Sequence, residues 1–299
     1  MPKRSTYQRP AATVKLSFGV LMTCLVMGCV GWAAVLGEQP AAPSQAEPEQ
    51  GKPAAEKPAK EGKTDFTVVP LWTEEQTPAD FLEAVGLVAK ARWRQLYRPP
   101  PPTPAPDRMR TSVTLGYLVG ESYLCVQAAD VQQFRNNNQE VMAYSRTLGF
   151  GEKVSPMLLA LAKTAEMEQW DELRTGVIEC YQALEESLVE QRDEDLAVLL
   201  KLGVWLRTLE VVASVVLETP EADYQKLCVG SPALIEELRG EYAELPEAVR
   251  DGDVGKELGS LLDFLWRNWA RPDAGEPTQE VVQKTYERLS QAARKVSLR

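Results

Sequence analysis

The sequence predicts an all-α protein, in which antiparallel helical hairpins form either a bundle or a short, degenerate helical-repeat solenoid. Apolar side chains recur every three or four residues from about Arg110 onward, which is the period of one helix face. The connections between these segments are short, as is typical of antiparallel neighbours. Helix start signals complete the pattern, with Thr77 before Pro78 and Ser231 before Pro232.

Residues 1–37 are predicted to be a signal peptide, a lipoprotein signal or a transmembrane anchor. Four basic side chains and no acid precede an uncharged stretch from Leu16 to Gly37, long enough to cross about 30 Å of hydrocarbon. Three alternatives stay open: an anchor that remains in place, lipid attachment at Cys29 in the sequence VMGC, or cleavage after a small residue such as Ala33. Each alternative places the following chain on the periplasmic or external side of a bacterial cell membrane.

Two further segments precede the main domain. Residues 38–63 have low complexity and are rich in Pro, Ala, Glu and Lys, which predicts a disordered spacer. Residues 64–107 predict an extended arm, a first helix from Thr77 to about Leu96, and a Pro-rich connector with the sequence YRPPPPTPAP. The connector favours a stiff polyproline II rod, and its alternative role is that of a docking ligand for an aromatic groove.

Residues 108–299 form the predicted main helical domain, whose first helix carries a pair of small residues. Gly116 and Gly120 are four residues apart and therefore share a helix face. This spacing predicts close helix–helix packing inside a soluble bundle, or alternatively a small groove for a partner or ligand. Glu121 and the polar flanks argue against a membrane span here. We expect Glu121 to be solvated at the helix edge, with a buried functional carboxylate as the alternative.

The middle of the domain predicts three helices. Asp130 is a predicted N-cap, and the three Asn residues at 136–138 should weaken the helix that it begins. Ser155 and Pro156 are predicted to start a short helix. The clearest amphipathic helix spans 169–191 and begins with Trp170. If Trp170 is fully buried, its replacement by Ala should cost about 3–5 kcal/mol.

Residues 194–217 predict a helix at the centre of the domain, because the segment is apolar nearly all round. Arg207 and Glu210 interrupt it three residues apart, a spacing at which the two side chains can pair. We expect a structural salt bridge at the edge of the core, and the alternative is a polar spot that lines a groove.

Composition excludes several classes of function. The chain carries 43 acidic and 33 basic residues and no His. An acidic domain is repelled by phosphate, so we expect no nucleic-acid binding and contact with the membrane only through the N-terminal segment. Without His, the Ser-His-Asp and Cys-His nucleophile systems are excluded. No phosphate-binding glycine loop or nucleophile-elbow motif occurs. We therefore expect no catalytic residue, no cofactor and no metal site.

Three cysteines of the domain, Cys125, Cys180 and Cys228, lie far apart in the sequence. They are interpreted as small buried apolar side chains. A location outside the cytoplasm would alternatively permit a disulfide between two of them.

Together these patterns predict a membrane-tethered, extracytoplasmic interaction or scaffold protein without catalytic activity, whose partner is another protein. The alternative is a carrier of a small molecule or peptide, which a pocket larger than about 300 Å³ beside the central helix would favour. For a scaffold, Glu121→Gln and Glu210→Gln should leave the function intact, apart from a modest loss of stability.

Overall fold

The computed structural model describes residues 77–101, 104, 107–219, 228–229, 231–275 and 277–297. Within these ranges the chain forms ten α-helices and no β-strand, which confirms the predicted all-α class. The predicted leader, spacer and extended arm, residues 1–76, lie outside the described residues. In the described part of the chain, no helix combines the length and the apolar character that a membrane span requires.

The helices are numbered in chain order, and short segments of other helix types accompany them. A 3₁₀ turn, Trp93–Leu96, follows α1, and a π-helical turn, Trp266–Ala270, follows α9. The α-helices are α1 Pro78–Val88, α2 Arg108–Gln127, α3 Val131–Thr147, α4 Gly151–Glu166, α5 Trp170–Glu190, α6 Glu194–Leu217, α7 Pro232–Glu244, α8 Glu247–Arg250, α9 Asp253–Leu265 and α10 Gln279–Ser297.

Helix α1 is shorter than the sequence predicts. Thr77 and Asp80 form a reciprocal capping box, in which the Asp80 N–H donates to Thr77 Oγ1 over 3.2 Å and the Thr77 N–H donates to the Asp80 carboxylate over 2.9 Å. The helix ends at Val88 rather than near Leu96, and Ala89 is already extended. Because the helix ends early, the following residues can reach α2 and α6, where their main chain bonds to buried charges.

Four consecutive connections, from α2 to α6, share one turn geometry. Each is three residues long, and its third residue donates its N–H to the carbonyl five positions earlier, as Asp130 does to Cys125 over 3.1 Å. This is the hydrogen bond of the Schellman motif. The middle residues with their positive φ angles are Ala129 at 47°, Gly149 at 95°, Glu168 at 55° and Arg192 at 60°. Because glycine, the usual marker of this turn, occupies only one of the four positions, the sequence did not reveal the repetition.

Helix α4 begins at Gly151, before the cap predicted at Ser155, so Pro156 lies inside the helix. The turn that ends α3 leads directly into α4, because buried Phe150 closes the turn and also precedes the first residue of the helix. The Ser155 hydroxyl does not cap the helix but donates to the Gly151 carbonyl over 2.6 Å.

The three Asn residues do not interrupt α3. Asn137 and Asn138 are buried and serve as links to neighbouring helices. Asn137 Nδ2 donates to the Leu118 carbonyl of α2 over 2.8 Å, and Asn138 Nδ2 donates to the Leu158 carbonyl of α4 over 2.7 Å. These side chains therefore satisfy their donors across helix contacts instead of competing with the backbone of their own helix.

The centre of the domain is the contact between α2 and α6, which is the most extensive between two described helices. A Cβ placed on Gly116 would lie 2.1 Å from the Leu200 carbonyl oxygen, and one placed on Gly203 would lie 2.2 Å from a carbonyl oxygen of α2. A Cβ on Gly120 would lie 2.8 Å from the Cβ of Arg207. The two backbones thus approach at a distance that only glycine permits.

The outer helices pack by single apolar stripes. On α5 the predicted stripe is buried, but Trp170 is only partly buried, so the condition for its full predicted cost is not met. Helices α9 and α10 contact each other, and α10 also contacts α2 and α6. Cys125, Cys180 and Cys228 are each buried and free, so no disulfide joins any two of these three residues.

Candidate functional site

Three charged side chains meet in the interior between α2 and α6. Arg207 of α6 donates through Nε to Glu121 Oε2 of α2 and through Nη1 to Glu210 Oε2, each over 2.7 Å. These side chains are only 3% to 7% exposed. Because an uncompensated charge is very costly in such surroundings, each carboxylate depends on the shared guanidinium.

Residues 93–101, which we call the strap, close this cluster from one side. Arg98 donates through Nε to Glu210 Oε2 over 2.8 Å and through Nη2 to Glu210 Oε1. The main chain also takes part: the Arg98 N–H donates to Glu121 Oε1 over 3.0 Å, and the Leu96 carbonyl accepts from Arg207 Nη2 over 2.6 Å. Two arginines and two glutamates thus form a neutral cluster, the ionic floor, which comprises Arg98, Glu121, Arg207 and Glu210.

Glu210 also accepts a hydrogen bond at Oε1 from the Ser290 hydroxyl of α10. Burial alone would raise the pKa of Glu210, but the charge of Arg207 and the hydrogen bonds from Arg98 and Ser290 outweigh it and lower this pKa to about 2. Burial would likewise lower the pKa of Arg207, but Glu121 and Glu210 outweigh it and raise this pKa. Arg207 and Glu210 therefore stay charged near neutral pH.

The ionic floor is the bottom of an open cleft of about 900 Å³. The strap forms one side, including the prolines Pro99–Pro101, and α3 and α10 contribute further walls. Helix α6 also contributes Val211 and Ser214 to the lining of the cleft. The volume lies in the range of about 300–1,000 Å³ that is usual for ligand pockets.

The walls above the floor carry an excess of negative charge. Outside the floor, the described residues that line the cleft include three acids, Glu140, Glu218 and Glu287, and one base, Arg294. Glu218 pairs with Arg92 over 3.2 Å. Neither Glu140 nor Glu287 has a basic partner among the described residues. A ligand in the cleft therefore faces two carboxylates without an ion-pair partner, together with Arg294, which has no acidic partner among the described residues.

Two tyrosines line the cleft with hydroxyls that lack a hydrogen-bond partner among the described residues. Tyr117 of α2 is 6% exposed, and Tyr97 belongs to the strap. Burial raises the pKa of both phenols, so both hydroxyls stay neutral and can donate and accept. An unsatisfied buried hydroxyl costs about 1–3 kcal/mol, which a ligand group that bonds to it would offset.

The structure brings three of the predicted site residues together, since Glu121, Arg207 and Glu210 all belong to the ionic floor. The expectation of a solvated Glu121 at a helix edge was wrong. Glu121 is 5% exposed, and its carboxylate accepts hydrogen bonds from Arg207 and from the main chain of Arg98. The partner of Glu121 lies 86 residues further along the chain, so sequence spacing gave no sign of it.

The remaining predicted residues lie elsewhere. Gly116 and Gly120 are at the contact between α2 and α6 and are not among the residues that line the cleft. Cys29, the candidate for lipid attachment, lies outside the described residues.

Sequence reasoning missed Arg98 and Ser290 of the ion cluster, as well as Tyr117, Glu140 and Glu287 of the cleft. Arg98 had a weak signal, since it is the basic residue directly before the proline run. Ser290 and Tyr117 had none, because a polar residue in a predicted helix is ordinarily assigned to its solvated face. Among the described residues, no group of three or more His, Cys, Asp or Glu side chains is placed to hold a metal ion.

No family model, no curated protein and no solved structure matches this chain.

Proposed function

We propose that the helical domain is a binding domain without catalytic activity, which holds a small molecule or a peptide segment in the cleft beside α6. The observation that carries this proposal is the cleft of about 900 Å³ next to the central helix. This volume is well above the roughly 300 Å³ at which a carrier becomes the better interpretation. The neutral floor and polar walls supply shape and hydrogen-bonding groups.

The charged groups of the floor support binding rather than catalysis. General acid–base catalysis near neutral pH needs a group whose pKa lies close to that pH. The pKa of Glu210 is about 2, and that of Arg207 is raised above its ordinary value. Burial raises the pKa of the Cys180 thiol to about 12 and raises that of Cys125 as well. Such thiols stay protonated and are poor nucleophiles.

A flat surface for a folded partner receives less support. Four large apolar side chains of the described residues are exposed, and they are distributed over α1, the α4 region and α5. Single exposed apolar residues are ordinary on the surface of a monomeric protein. The four side chains are Leu87, Leu159, Met167 and Val189. If the domain acts as a scaffold, we therefore propose that its partner inserts a segment into the cleft.

The proposal has two further parts, one for location and one for architecture. Residues 1–37 tether the domain to the outer side of the cytoplasmic membrane, an inference supported by the basic end and the uncharged run of that segment. The helical hairpins close into a bundle rather than continuing as a solenoid. The support for this is that α6 packs on α2, four helices earlier, as well as on its neighbour α5.

The test uses a photo-crosslinking amino acid placed in the full-length chain in cells of its native host. Gln139 and Ser214 report on the cleft, and Glu179, an exposed residue of α5, is the control position. We expect the two cleft positions to capture the same molecule, identified by mass spectrometry, and the control to capture nothing in common with them. Absence of any shared adduct from the two cleft positions, with the protein folded and abundant, would overturn the proposal.

A further inference from the structure

We infer that the ligand of the cleft is a linear cation that carries two or more amino or guanidino groups, either a free polyamine or a chain segment with several Lys or Arg side chains. This inference rests on the proposed binding function and adds the chemistry of the ligand. It stands on two independent observations, which are the charge balance of the walls and the buried hydroxyl of Tyr117.

The cations of the ionic floor are already engaged by protein groups. Arg98 uses Nε and Nη2 on Glu210, and Arg207 uses Nε, Nη1 and Nη2 on Glu121, Glu210 and the Leu96 carbonyl. An anion that bonded to Arg207 would have to displace these bonds and leave a buried glutamate without its partner, at a cost of several kcal/mol. Nη1 of Arg98 has no partner among the described residues, but the four charges of the floor sum to zero, so the floor as a whole offers an anion no net positive charge.

The walls attract positive charge. Glu140 of α3 and Glu287 of α10 line the cleft without a basic partner among the described residues. One base, Arg294, also lines the cleft. It donates through Nε to the Ser290 carbonyl over 3.3 Å and has no acidic partner among the described residues, so the unpaired charges of the walls, two acids and one base, sum to −1. The chain as a whole has a net charge of −10, and a cleft lined by one sign of charge concentrates ions of the other sign.

Tyr117 points independently to a ligand with hydrogen-bonding groups. It lines the cleft and is 6% exposed, which makes it 94% buried. Its hydroxyl has no hydrogen-bond partner among the described residues. Its oxygen is inaccessible to solvent in this structure, so the side chain must shift before the oxygen can accept a hydrogen bond from an ammonium or guanidinium N–H. The rings of Tyr97 and Tyr286, which also line the cleft, add aromatic surface of the kind that attracts organic cations.

The positions of the acids specify more than one positive group. Glu140 and Glu287 belong to different helices, α3 and α10, and Tyr117 belongs to a third, α2. A ligand that meets all three needs separate basic groups on a connecting chain. The open cleft of about 900 Å³ has room for such a chain.

The first experiment titrates the full-length chain with spermidine and with a tri-lysine peptide by isothermal titration calorimetry at constant ionic strength. Citrate and a tri-glutamate peptide are the anionic probes. We expect one-to-one binding of at least one cation, at least about tenfold tighter than either anion, which corresponds to about 1.4 kcal/mol. Binding of spermidine alone identifies a free polyamine as the ligand, and binding of tri-lysine alone identifies a basic segment.

Variants then locate the binding. Glu140→Gln combined with Glu287→Gln should weaken cation binding about tenfold or more, because two charge-assisted contacts are lost. The matched pair, Glu179→Gln with Glu186→Gln, removes the same charge from exposed positions of α5 and should change affinity less than about twofold. Tyr117→Phe should weaken binding about threefold or more while leaving thermal stability unchanged or raised, because it removes an unsatisfied buried hydroxyl.

Several outcomes overturn the inference. If the two double glutamate variants lose the same amount of cation affinity, the binding is only a general attraction of counterions. If an anionic probe binds more tightly than either cation, the charge argument is wrong. If the cleft positions capture a ligand in cells but no cation binds, the ligand class is wrong and the binding function stands. If the cleft positions capture nothing and no cation binds, both proposals fall.

Discussion

The central pair α2–α6 and the outer hairpin α4–α5 are stabilised in different ways. Every residue of α2 from Thr111 to Val126 is buried, whereas α4 buries a single stripe of five residues. With little surface toward water outside the cleft, the central pair relies on close glycine contacts and a compensated ion cluster. The outer hairpin relies on an apolar stripe and on exposed ion pairs such as Lys153 with Glu190. In these two regions, the buried charged residues of the central pair belong to the ionic floor, whereas charged residues of the outer hairpin form exposed ion pairs.

The largest expected effect breaks the ionic floor. Arg207→Met should reduce the free energy of unfolding by about 3–5 kcal/mol, because Glu121 and Glu210 then remain buried without their shared cation. Lys153→Met, which removes a cation from an exposed pair of the outer hairpin, should cost about 0–1 kcal/mol. Urea denaturation followed by circular dichroism measures both values. Similar losses for the two variants would mean that the central and outer charges are equivalent.

The same cluster predicts a dependence of stability on pH. The pKa of Glu210 falls from its ordinary 4.5 to about 2 on folding. A lowered pKa contributes stability that is fully present above about pH 4.5 and is lost as the pH falls through about 2. At 1.36 kcal/mol per pH unit, the contribution is on the order of 3 kcal/mol. Denaturation between pH 2 and 5 should give a flatter curve for Glu210→Gln than for the wild type, and identical slopes would contradict the prediction.

Sequence alone suggested only a modest stability loss for Glu210→Gln, and the contacts now predict a larger one. The carboxylate accepts bonds from Arg98, Arg207 and Ser290, and a Gln amide would turn a donor toward one of them. The effect of the variant on function stays a prediction.

A smaller effect should come from the glycine contact of the central pair. Gly203→Ala should cost about 1–3 kcal/mol, because its Cβ would lie 2.2 Å from a carbonyl oxygen of α2. Gly240→Ala is the matched control, since nothing lies within 4 Å of the added Cβ on α7. That control should gain up to about 1 kcal/mol from helix propensity. A lower melting temperature for Gly203→Ala and a higher one for Gly240→Ala would support close backbone packing between α2 and α6. An unchanged melting temperature for Gly203→Ala would refute that close packing.

The smallest effects concern the repeated turns. Arg192→Gly should stabilise the protein by about 0.5–1 kcal/mol, because Arg192 holds a left-handed φ of 60° that glycine adopts without strain. Gly149→Ala, at a φ of 95°, should destabilise by about 1 kcal/mol or more. Glu186→Gly, in the interior of α5, is the control and should destabilise by about 1 kcal/mol. If Arg192→Gly and Glu186→Gly both stabilised the protein, the left-handed φ angle of the turn could not be the cause of the gain at Arg192.

Local signals predicted the outer helices well. Helix α5 was predicted at 169–191 and spans Trp170–Glu190, and the caps Asp130 and Ser231 bond as expected, because stripes and caps depend on neighbouring residues. Half-buried Trp170 marks the limit, since a stripe cannot show how deeply its first residue is covered.

Tertiary features escaped the sequence. The strap ends α1 early because its main chain bonds to Glu121 and Arg207, which no local pattern encodes. Three of the four repeated turns lack the glycine that would have identified them. The central helix and its Arg207–Glu210 pair were predicted, but the cleft above them depends on α3, α10 and the strap meeting in space.

The ionic floor also has a consequence for folding kinetics. Its bonds join positions 86, 112 and 80 residues apart, from Glu121 to Arg207, from Arg98 to Glu210 and from Ser290 to Glu210. Such long separations slow folding, because the chain must first lose the entropy of closing long loops before the stabilising contacts can form. During synthesis α2 emerges well before α6, so Glu121 stays unpaired until α6 arrives, and Glu210 lacks its last donor until α10 follows. A partly docked chain therefore holds a buried charge without its partner, which favours docking of α2, α6 and α10 together.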